Sequence, residues 1–253
     1  MDHLPLLLLA GFLAGAMNAV AGGGSFLTLP ALVLAGLPSV VANASSTVAL
    51  FPGSLASIWV YRDGIARVDR VLPGVSIVPL LAISLVGGLA GAVLLLATPS
   101  ATFDRVIPWL LLLATLALAF GPRAGLALRR VVRIGAPPLL AVQFLLGIYG
   151  GYFGGAVGIM MMAAWSLLGS ADLKAMNPAK TLLVAVTNTV AVLCFAAAGA
   201  VRWPETIAVL LAALAGGYAG AHAGRRLSPR LIRVAVVAIT AGMTVVFFIR
   251  ASS

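Results

Sequence analysis

Long apolar stretches follow one another along almost the whole chain, separated by short polar segments. They cover roughly residues 4–21, 25–36, 39–61, 71–97, 106–120, 138–153, 156–168, 177–200, 206–223 and 231–249. A helix needs about 20 apolar residues to cross the hydrocarbon core of a bilayer. Only 9% of the 253 residues are charged, whereas soluble domains carry about 25%. The sequence therefore predicts an all-α integral membrane protein surrounded by lipid.

The formal net charge of +10 does not indicate a nucleic-acid partner in a chain of this composition. Cytoplasmic loops of membrane proteins are enriched in Lys and Arg, and this enrichment accounts for the charge. The single cysteine, Cys194, lies in an apolar stretch and has no partner for an intrachain disulfide. Residues 4–21 follow Met-Asp-His without a basic segment, so we expect mature structure rather than a signal peptide.

Two of the apolar stretches, 25–36 and 156–168, are too short to cross a bilayer. At ~1.5 Å per residue, such a helix reaches only about half of the hydrocarbon core. Each short stretch follows a cluster of glycines, namely Gly22, Gly23 and Gly24 in one case and Gly150, Gly151, Gly154 and Gly155 in the other. This pattern predicts two helices that are broken at membrane depth.

The same motifs occur in the same order in both halves of the chain. The matching segments are GAMNAVAGGGSF at 15–26 with GIYGGYFGGAVG at 147–158, NASSTVALFPGS at 43–54 with NPAKTLLVAVTN at 177–188, and GGLAGA at 87–92 with GGYAGA at 216–221. Such internal similarity indicates a structural repeat. We expect a first transmembrane repeat at 1–120, a basic cytoplasmic linker at 121–137 and a second repeat at 138–253.

Basic residues predict how the two repeats are oriented. Lys180 lies within an apolar stretch and is set aside. If each glycine-broken pair, 4–36 and 138–168, returns the chain to its starting side or crosses twice, the other basic residues divide twelve to three between the two sides of the membrane. If each pair instead forms a single broken span, they divide nine to six. The positive-inside rule favours the twelve-to-three division. Each repeat then crosses an odd number of times, which makes the repeats inverted and places both termini in the periplasm.

In an inverted pair, the two breaks approach the middle of the membrane from opposite faces. The short helices begin directly after their glycines, so their N-termini would point inward. Helix N-termini carry free N–H groups and a partial positive charge, which suit an anion. Transporters with inverted repeats often bind substrate at such a place. We therefore predict an anion site at Gly22, Gly23, Gly24, Ser25, Gly154 and Gly155. Close helix packing is the alternative role, and it is favoured for Gly87, Gly91, Gly216, Gly220 and Gly224.

Few ionisable side chains lie within the apolar stretches, and all six acidic residues fall in loops or near helix ends. Lys180 is the main exception, and its ammonium group suits an anion at the middle of the membrane. The alternative is that Lys180 extends to the cytoplasmic surface. The equivalent position of the first repeat is Ser46, whose neighbours Ser45 and Thr47 are also hydroxyl donors.

Other polar side chains complete the predicted substrate site. Asn18 precedes the first glycine cluster, where it suits either a ligand contact or a helix cap. Asn177, Thr187 and Asn188 belong to the matching segment of the second repeat. For the hydroxyl side chains, the alternative role is a hydrogen bond to the carbonyl of the preceding helical turn.

The chain carries no recognisable catalytic set. The motif HExxH, Cys and His at metal-ligand spacing, and Ser-His-Asp in plausible positions are all absent from the sequence. The GGGS segment lacks the Gly-Lys-Ser/Thr of a phosphate-binding loop. We therefore expect neither an enzyme nor a cofactor.

The segment GFLAGAMNAVAGGGSFLTLPALVLAGLP at 11–38 resembles the TauE/SafE sulfite exporter family, also called the toluene-sulfonate uptake permease family. GIYGGYFGGAVG and NPAKTLL resemble its second-half motifs, so the resemblance covers nearly the whole chain. It implies a transporter of sulfur-containing or related small organic anions in the bacterial inner membrane. The chain departs from the family where an acidic residue is often found, at Asn18 and Gly150, and where many members have Thr-Asn-Lys, at Ala44 to Ser46.

These observations favour a carrier that moves a small oxyanion, sulfite or an organosulfonate, by alternating access. An anion channel with the same fold and a transporter of a non-sulfur organic anion are the alternatives. A scaffold that binds a partner enzyme through its basic loops would have no need for broken helices. The stripes of small residues would permit a homodimer. The sequence leaves open the direction of transport, the coupling ion, and whether 4–36 and 138–168 cross twice or are re-entrant.

Overall fold

The computed structural model describes residues 3–20, 23–65, 75–128, 135–167, 173–224 and 229–252. Within them the chain forms ten helices and no strand. The helices are α1 (Leu4–Val20), α2 (Ser25–Leu34), α3 (Ser39–Ile65), α4 (Ile77–Ala97), α5 (Ser100–Leu128), α6 (Ala136–Tyr152), α7 (Val157–Ser166), α8 (Leu173–Ala197), α9 (Trp203–Gly224) and α10 (Pro229–Ser252). The all-α prediction is confirmed for this part of the chain.

Among the described residues, four helices are long and apolar enough to cross a membrane, namely α4, α5, α8 and α9. The sequence predicts that each repeat holds three full transmembrane helices besides its glycine-broken pair of short helices. By length and composition, each half contributes two such helices within the described residues. The remaining long helix of the first half, α3, has 27 residues, but Asn43, Ser45, Ser46 and Thr47 interrupt its apolar character. Helices α2 and α7 have 10 residues each, so they are the short helices that the sequence predicted.

Glycines bring two pairs of helices into close contact. A Cβ atom at Gly87 of α4 would lie 2.7 Å from the Phe144 carbonyl oxygen, and one at Gly91 would lie 2.8 Å from the Tyr152 nitrogen of α6. Residue numbers rise together along α4 and α6, so the two helices are parallel. The predicted packing role of Gly87 and Gly91 is confirmed, because any side chain there would force the backbones apart.

The equivalent pair in the other half of the molecule is α1 with α9. A Cβ atom at Gly11 would lie 2.7 Å from the Val209 carbonyl oxygen, and one at Gly220 would lie 2.5 Å from the Cα atom of Ala16. These helices are also parallel. Gly216 packs against the backbone of Phe12, so its predicted packing role is confirmed together with that of Gly220.

Helix contacts follow the same pattern in both halves. α1 contacts α9 as α6 contacts α4, α3 contacts α9 as α8 contacts α4, and α2 contacts α10 as α7 contacts α5. Counterpart helices also contact each other, α3 with α8 and α5 with α10. The larger contacts are thus retained when the two sets of five helices are exchanged, whereas the smaller contact of α3 with α5 has no equivalent of that size.

Equivalent helices run in opposite directions where they meet. The Asn177 side chain of α8 donates to the Tyr61 hydroxyl near the end of α3 at 2.9 Å. At the other end, the Arg202 N–H, just after α8, donates to Ser45 Oγ near the start of α3 at 3.0 Å. α3 and α8 are therefore antiparallel.

Helices α5 and α10 are antiparallel in the same way. The rings of Trp109 and Phe248 have centroids 5.1 Å apart, and the hydroxyls of Thr115 and Thr244 are 3.2 Å apart and buried. Residue numbers fall along α10 as they rise along α5. Like α3 and α8, these equivalent helices pack against each other with opposite chain directions.

The broken pair α6 and α7 forms a hairpin. Trp165 Nε1 at the end of α7 donates to Gln143 Oε1 in the first half of α6 at 3.0 Å. A Cβ atom at Gly150, near the end of α6, would lie 3.4 Å from Val157 Cγ2 at the start of α7. The chain therefore turns back after α6.

Three arginines lie at one end of the helix bundle. The Ser39 hydroxyl of α3 donates to the Ser100 carbonyl at the start of α5 at 3.3 Å, and Arg105 follows one turn later. The ring contact between α5 and α10 brings the Arg250 end of α10 to the same place, and Arg202 adjoins Ser45. Arg62 lies near the opposite end of α3.

The outward faces of the helices are strongly apolar. Trp59, Val60, Leu145, Leu193 and Tyr218 each expose more than half of their surface. Large apolar side chains in such numbers indicate contact with lipid rather than water. The interior holds two clusters of buried apolar side chains, and Tyr149 packs against both.

Helix α5 is longer than the apolar stretch that predicted it. It begins at Ser100, before the charged pair Asp104 and Arg105, and it continues to Leu128. Residues 121–128 of the expected linker are therefore helical, and 129–134 lie outside the described residues. The apolar pattern did not reveal the two ends of α5, because a helix can continue through charged residues at the surface of a membrane. Such residues lengthen the helix but not its apolar part.

Candidate functional site

The break between α6 and α7 leaves backbone donors unpaired. Gly154 has φ +79° and Ala156 has φ +58°, the latter being the one non-glycine with positive φ in the described residues. This conformation turns the chain away from the helical path. The N–H groups of Phe153 and Gly154 both bond to the Tyr149 carbonyl oxygen, but those of Gly155 and Ala156 have no acceptor among the described residues. Left-handed backbone in a non-glycine is strained, and such strain concentrates at functional sites.

The break between α1 and α2 is closed by a side chain. Asn18 Oδ1 of α1 accepts the Gly24 N–H at 3.0 Å, which is the helix-cap role considered for Asn18. In the repeat alignment Gly24 corresponds to Ala156, and Asn18 corresponds to Gly150. Since Gly150 has no side chain, the Ala156 N–H lacks the acceptor that Gly24 has. The two breaks therefore differ in what they offer a ligand.

Aromatic rings bring the two breaks together. The rings of Phe26 at the start of α2 and Phe153 at the end of α6 are edge to face, with centroids 6.4 Å apart. A Cβ atom at Gly155 would lie 3.3 Å from Phe26 Cζ. Gly23, with φ +90°, lies close to the same Phe26 ring. The predicted approach of the two glycine clusters is thus present, although their backbone groups are separated by Phe26 and Phe153.

Lys180 lies beside the first turn of α7. A Cβ atom at Gly158 would lie 2.9 Å from Lys180 Cδ and 3.0 Å from Lys180 Cγ. The absence of a side chain at Gly158 thus makes room for the lysine stem. Lys180 is half-buried and forms no ion pair or hydrogen bond with another described residue. Its charge is therefore not neutralised by the described part of the protein.

Ser46, the counterpart of Lys180, is engaged by its own repeat. Its hydroxyl is 2.5 Å from the Thr28 hydroxyl of α2, and both side chains are fully buried. Thr28 also bonds weakly to the Gly24 carbonyl oxygen, at 3.4 Å. Continued along the chain, the repeat alignment places Met160 opposite Thr28. The first repeat therefore has a hydrogen bond between α2 and α3 where the second has a lysine without a described partner.

The neighbours of Ser46 also bond within the protein. Ser45 is buried and accepts the Arg202 N–H, which connects α3 to the segment between α8 and α9. The Thr47 hydroxyl donates to the Asn43 carbonyl oxygen at 2.9 Å. A hydrogen bond of this kind, to the carbonyl of the preceding helical turn, is the alternative role that the sequence predicted for hydroxyl side chains. A substrate role for Ser45, Ser46 and Thr47 stays a prediction, and it would require these bonds to open.

The remaining predicted residues of α8 lie in different surroundings. Asn177 binds the Tyr61 hydroxyl. Thr187 is buried, donates to the Leu183 carbonyl oxygen at 2.9 Å, and fills the space beside Gly88 and Gly150. Asn188 is half-buried, and its side chain has no hydrogen-bond partner in the described part of the chain.

Three predicted positions concern the first break itself. Gly22 lies outside the described residues. Gly24 is buried, and a Cβ atom there would lie 2.6 Å from the Ala14 carbonyl oxygen. Ser25 begins α2, is half-buried, and its hydroxyl has no partner among the described residues.

Asn43 of α3 was not predicted to be a site residue, yet it reaches the second break. Its Nδ2 donates to the Tyr152 carbonyl oxygen at the end of α6 at 2.9 Å. Its Oδ1 is buried and has no partner among the described residues, and the same is true of the Tyr149 hydroxyl one turn before Phe153. The alignment of Asn43 with Asn177 was the one sequence signal that pointed to it.

A second residue that the sequence did not single out is Gln143. This buried side chain donates to Ser84 Oγ of α4 at 2.8 Å and accepts from Trp165 of α7. The chain of hydrogen bonds ties the end of α7 to α6 and α4. The sequence signal that could have identified Gln143 is its position among the apolar residues of α6. A glutamine buried there needs hydrogen-bond partners.

The described residues include no group of three His, Cys, Asp or Glu side chains that could hold a metal ion. The polar atoms near the breaks are amide N–H groups, one lysine, hydroxyls and amides. Together they can bind and release a small anion without forming a covalent bond to it.

Comparison with known proteins identifies the chain's relatives. The family model described as sulfite exporter TauE/SafE matches residues 7–247. The chain is 29% identical over 247 residues to "Probable membrane transporter protein YfcA" of Escherichia coli K12, covering 95% of this chain and 88% of the relative. It is 29% identical to "Probable membrane transporter protein" of Haemophilus influenzae, with 96% and 93% covered. "Probable membrane transporter protein ORF9" of Sinorhizobium sp is 26% identical, with 96% and 91% covered.

No solved structure gave a significant match. The family match covers far more than half of the chain, and these relatives align with it nearly from end to end. The apolar outer faces of the helices fit a multi-pass membrane protein. The chain therefore belongs to the TauE/SafE sulfite exporter family, and it is a membrane transporter, not an enzyme.

Proposed function

We propose that the protein is a carrier that moves a small sulfur-containing anion, sulfite or an organosulfonate, across the bacterial inner membrane. The family's name supports the sulfur oxyanion. The observation that carries the proposal is the second break, where the Gly155 and Ala156 N–H groups have no acceptor in the described chain. Unpaired N–H groups in a membrane protein are tolerated where they line a cavity or meet a ligand.

Lys180 supplies the positive charge for this site. It lies beside Gly158 in the first turn of α7, just after the unpaired N–H groups. A helix N-terminus and an ammonium group both favour an anion, and their effects are strong where water is excluded. In the first repeat, the Asn18–Gly24 bond occupies the counterpart of the Ala156 N–H, and the Ser46–Thr28 bond occupies the counterpart of Lys180. The second repeat accordingly provides the principal contacts, and the first contributes Ser25 and the Phe26 wall.

The two halves form inverted repeats, and the antiparallel packing of α3 with α8 and of α5 with α10 supports this arrangement. Arg105, Arg202 and Arg250 lie at one end of the bundle. They are also the three basic residues that the sequence-based division assigns to the side with few basic residues. By the positive-inside rule, this end faces the periplasm. Both chain termini then lie on the periplasmic side. Alternation between the two hairpins, α1–α2 and α6–α7, gives each side access to the site in turn.

Counterflow in proteoliposomes tests the proposed function. Vesicles preloaded with unlabelled sulfite should accumulate radiolabelled sulfite against its gradient, and methanesulfonate inside should support the same exchange. Chloride and acetate inside should not. With the membrane potential held at zero, accumulation requires a carrier, because a channel then only dissipates the gradient.

The possible results separate the alternatives. Rapid sulfite flux without counterflow would contradict the carrier and indicate a channel. Counterflow with acetate but not with sulfite or methanesulfonate would contradict the sulfur anion and indicate a different organic substrate. Empty vesicles and vesicles with Lys180→Ala provide the background rates.

A further inference from the structure

An unpaired acceptor lies beside the second break, in addition to the unpaired donors. Asn43 of α3 is 1% exposed, and its Oδ1 has no hydrogen-bond partner within the part of the chain that the structure describes. Its Nδ2 lies 2.9 Å from the carbonyl oxygen of Tyr152, the last residue of α6 before the break. Buried polar side-chain atoms almost always have a partner, so an unpaired atom beside a binding site requires an explanation.

The orientation of the Asn43 amide is fixed by its neighbour. A carbonyl oxygen only accepts hydrogen bonds, so the NH₂ group must face the Tyr152 oxygen. Reversing the amide would place two acceptors against each other. Oδ1 is therefore the atom left without a partner, and it requires a donor. The Tyr152 carbonyl oxygen is free to accept because Ala156, its partner in a continuous helix, turns away with φ +58°.

The first repeat lacks this combination. The counterpart of Asn43 is Asn177, whose Nδ2 bonds to the exposed Tyr61 rather than to the end of α1. The Gly24 N–H is bonded to Asn18, and the hydroxyls of Thr28 and Ser46 bond to each other. Among the described residues, the buried side-chain acceptor without a partner lies beside the second break, and the first break has no buried side-chain acceptor of this kind.

We propose that Asn43 makes the site selective for anions that also carry a hydrogen-bond donor, such as a hydroxyl beside the sulfonate group. The proposal rests on the proposed function. The oxyanion binds the Gly155 and Ala156 N–H groups, and the donor of the same ligand binds Asn43 Oδ1. An anion of the same size without a donor leaves this buried oxygen unpaired, and sites built for a substrate donor discriminate strongly against such analogues.

Matched sulfonates test the selectivity at constant charge. Calorimetric titration of the purified full-length protein compares 2-hydroxyethanesulfonate with 1-propanesulfonate, in which a methyl group replaces the hydroxyl, and with ethanesulfonate. The hydroxyl ligand should bind about 10-fold more tightly than either of the others. The Asn43→Leu variant should bind all three within about 2-fold of one another.

Two further variants control for loss of structure. Thr115→Val removes a different buried hydrogen bond between helices, that with Thr244, and should keep the 10-fold preference. Asn43→Ala removes the same acceptor with a smaller side chain, so it should also lose the preference. The Ala variant keeps the proposal testable if the Leu variant does not fold.

Each result bears on one proposal or on both. Equal binding of the three sulfonates by the wild-type protein would overturn the selectivity while leaving anion binding intact. A preference that survives in Asn43→Leu would overturn the role of Asn43. No binding of any of the three ligands would count against the proposed function itself.

Discussion

Gly158 and Lys180 form a complementary pair at the start of α7. A Cβ atom at Gly158 would lie 2.9 Å from Lys180 Cδ, so the lysine stem occupies the space that a side chain would take. Lys180, the one positively charged residue in the apolar part of α8, thus lies beside the N-terminus of α7. The charge of the predicted anion site therefore depends on a glycine in the neighbouring helix.

Gly158→Ala should weaken anion binding while leaving the protein folded. The new methyl group would displace the lysine side chain, which is flexible enough to move away. We expect about a 10-fold loss of affinity, equivalent to about 1.4 kcal/mol, measured by titration with sulfite. Gly242→Ala on α10 is the matched control, because a Cβ atom there meets nothing within 4 Å. Equal affinity of the two variants would contradict the Gly158–Lys180 relationship.

The hydrogen bond between Thr28 and Ser46 should stabilise the fold without taking part in substrate binding. Thr28→Val leaves the buried Ser46 hydroxyl unpaired, and Ser46→Ala leaves the Thr28 hydroxyl with only its weak bond to the Gly24 carbonyl oxygen. Each change should lower the free energy of unfolding by about 1–3 kcal/mol, with the larger loss for Thr28→Val. The double variant should lose less than the sum of the two changes, because neither hydroxyl remains. Thermal unfolding in detergent measures the stability. Loss of sulfite affinity in the Ser46→Ala variant, at unchanged stability, would instead favour the direct substrate role predicted from the sequence.

Asn18→Asp should separate the capping role of this residue from its electrostatic effect. The carboxylate can accept the Gly24 N–H as the amide does, so stability should change by less than about 0.5 kcal/mol. Its negative charge near the two breaks should lower the affinity for anions. Asn18→Ala should show the opposite pattern, with a stability loss of about 1 kcal/mol and unchanged affinity. Tighter sulfite binding by the Asp variant would be incompatible with an anion site at the breaks.

The sequence predicted the local elements of this architecture more completely than the contacts between them. Helix α2 begins at Ser25 as expected, and α7 begins at Val157, one residue later than the predicted stretch. Glycine clusters and short apolar runs are local signals, and so is the packing stripe of Gly87 and Gly91. The start of α5 at Ser100 was missed because Asp104 and Arg105 ended the apolar stretch without ending the helix.

The polar network at the breaks could not be predicted in the same way. The bond from Asn43 to Tyr152 joins residues of different repeats, and its formation depends on how α3 packs against the end of α6. Ser46 and Lys180 were recognised as equivalent positions, but the partner that occupies Ser46 comes from α2. Composition and spacing do not show which of two equivalent hydroxyl or amine groups already has a partner within the protein.

Titration of sulfite into purified wild-type, Lys180→Ala and Ser46→Ala proteins tests most directly which repeat holds the anion. Wild-type and Ser46→Ala proteins should bind with affinities within about 3-fold, while Lys180→Ala loses a charge-assisted contact and should bind at least about 10-fold more weakly. Each variant must first show a monodisperse, thermally cooperative sample. Sulfite binding by folded Lys180→Ala that is as tight as in the wild type would contradict the central claim that the second repeat holds the anion.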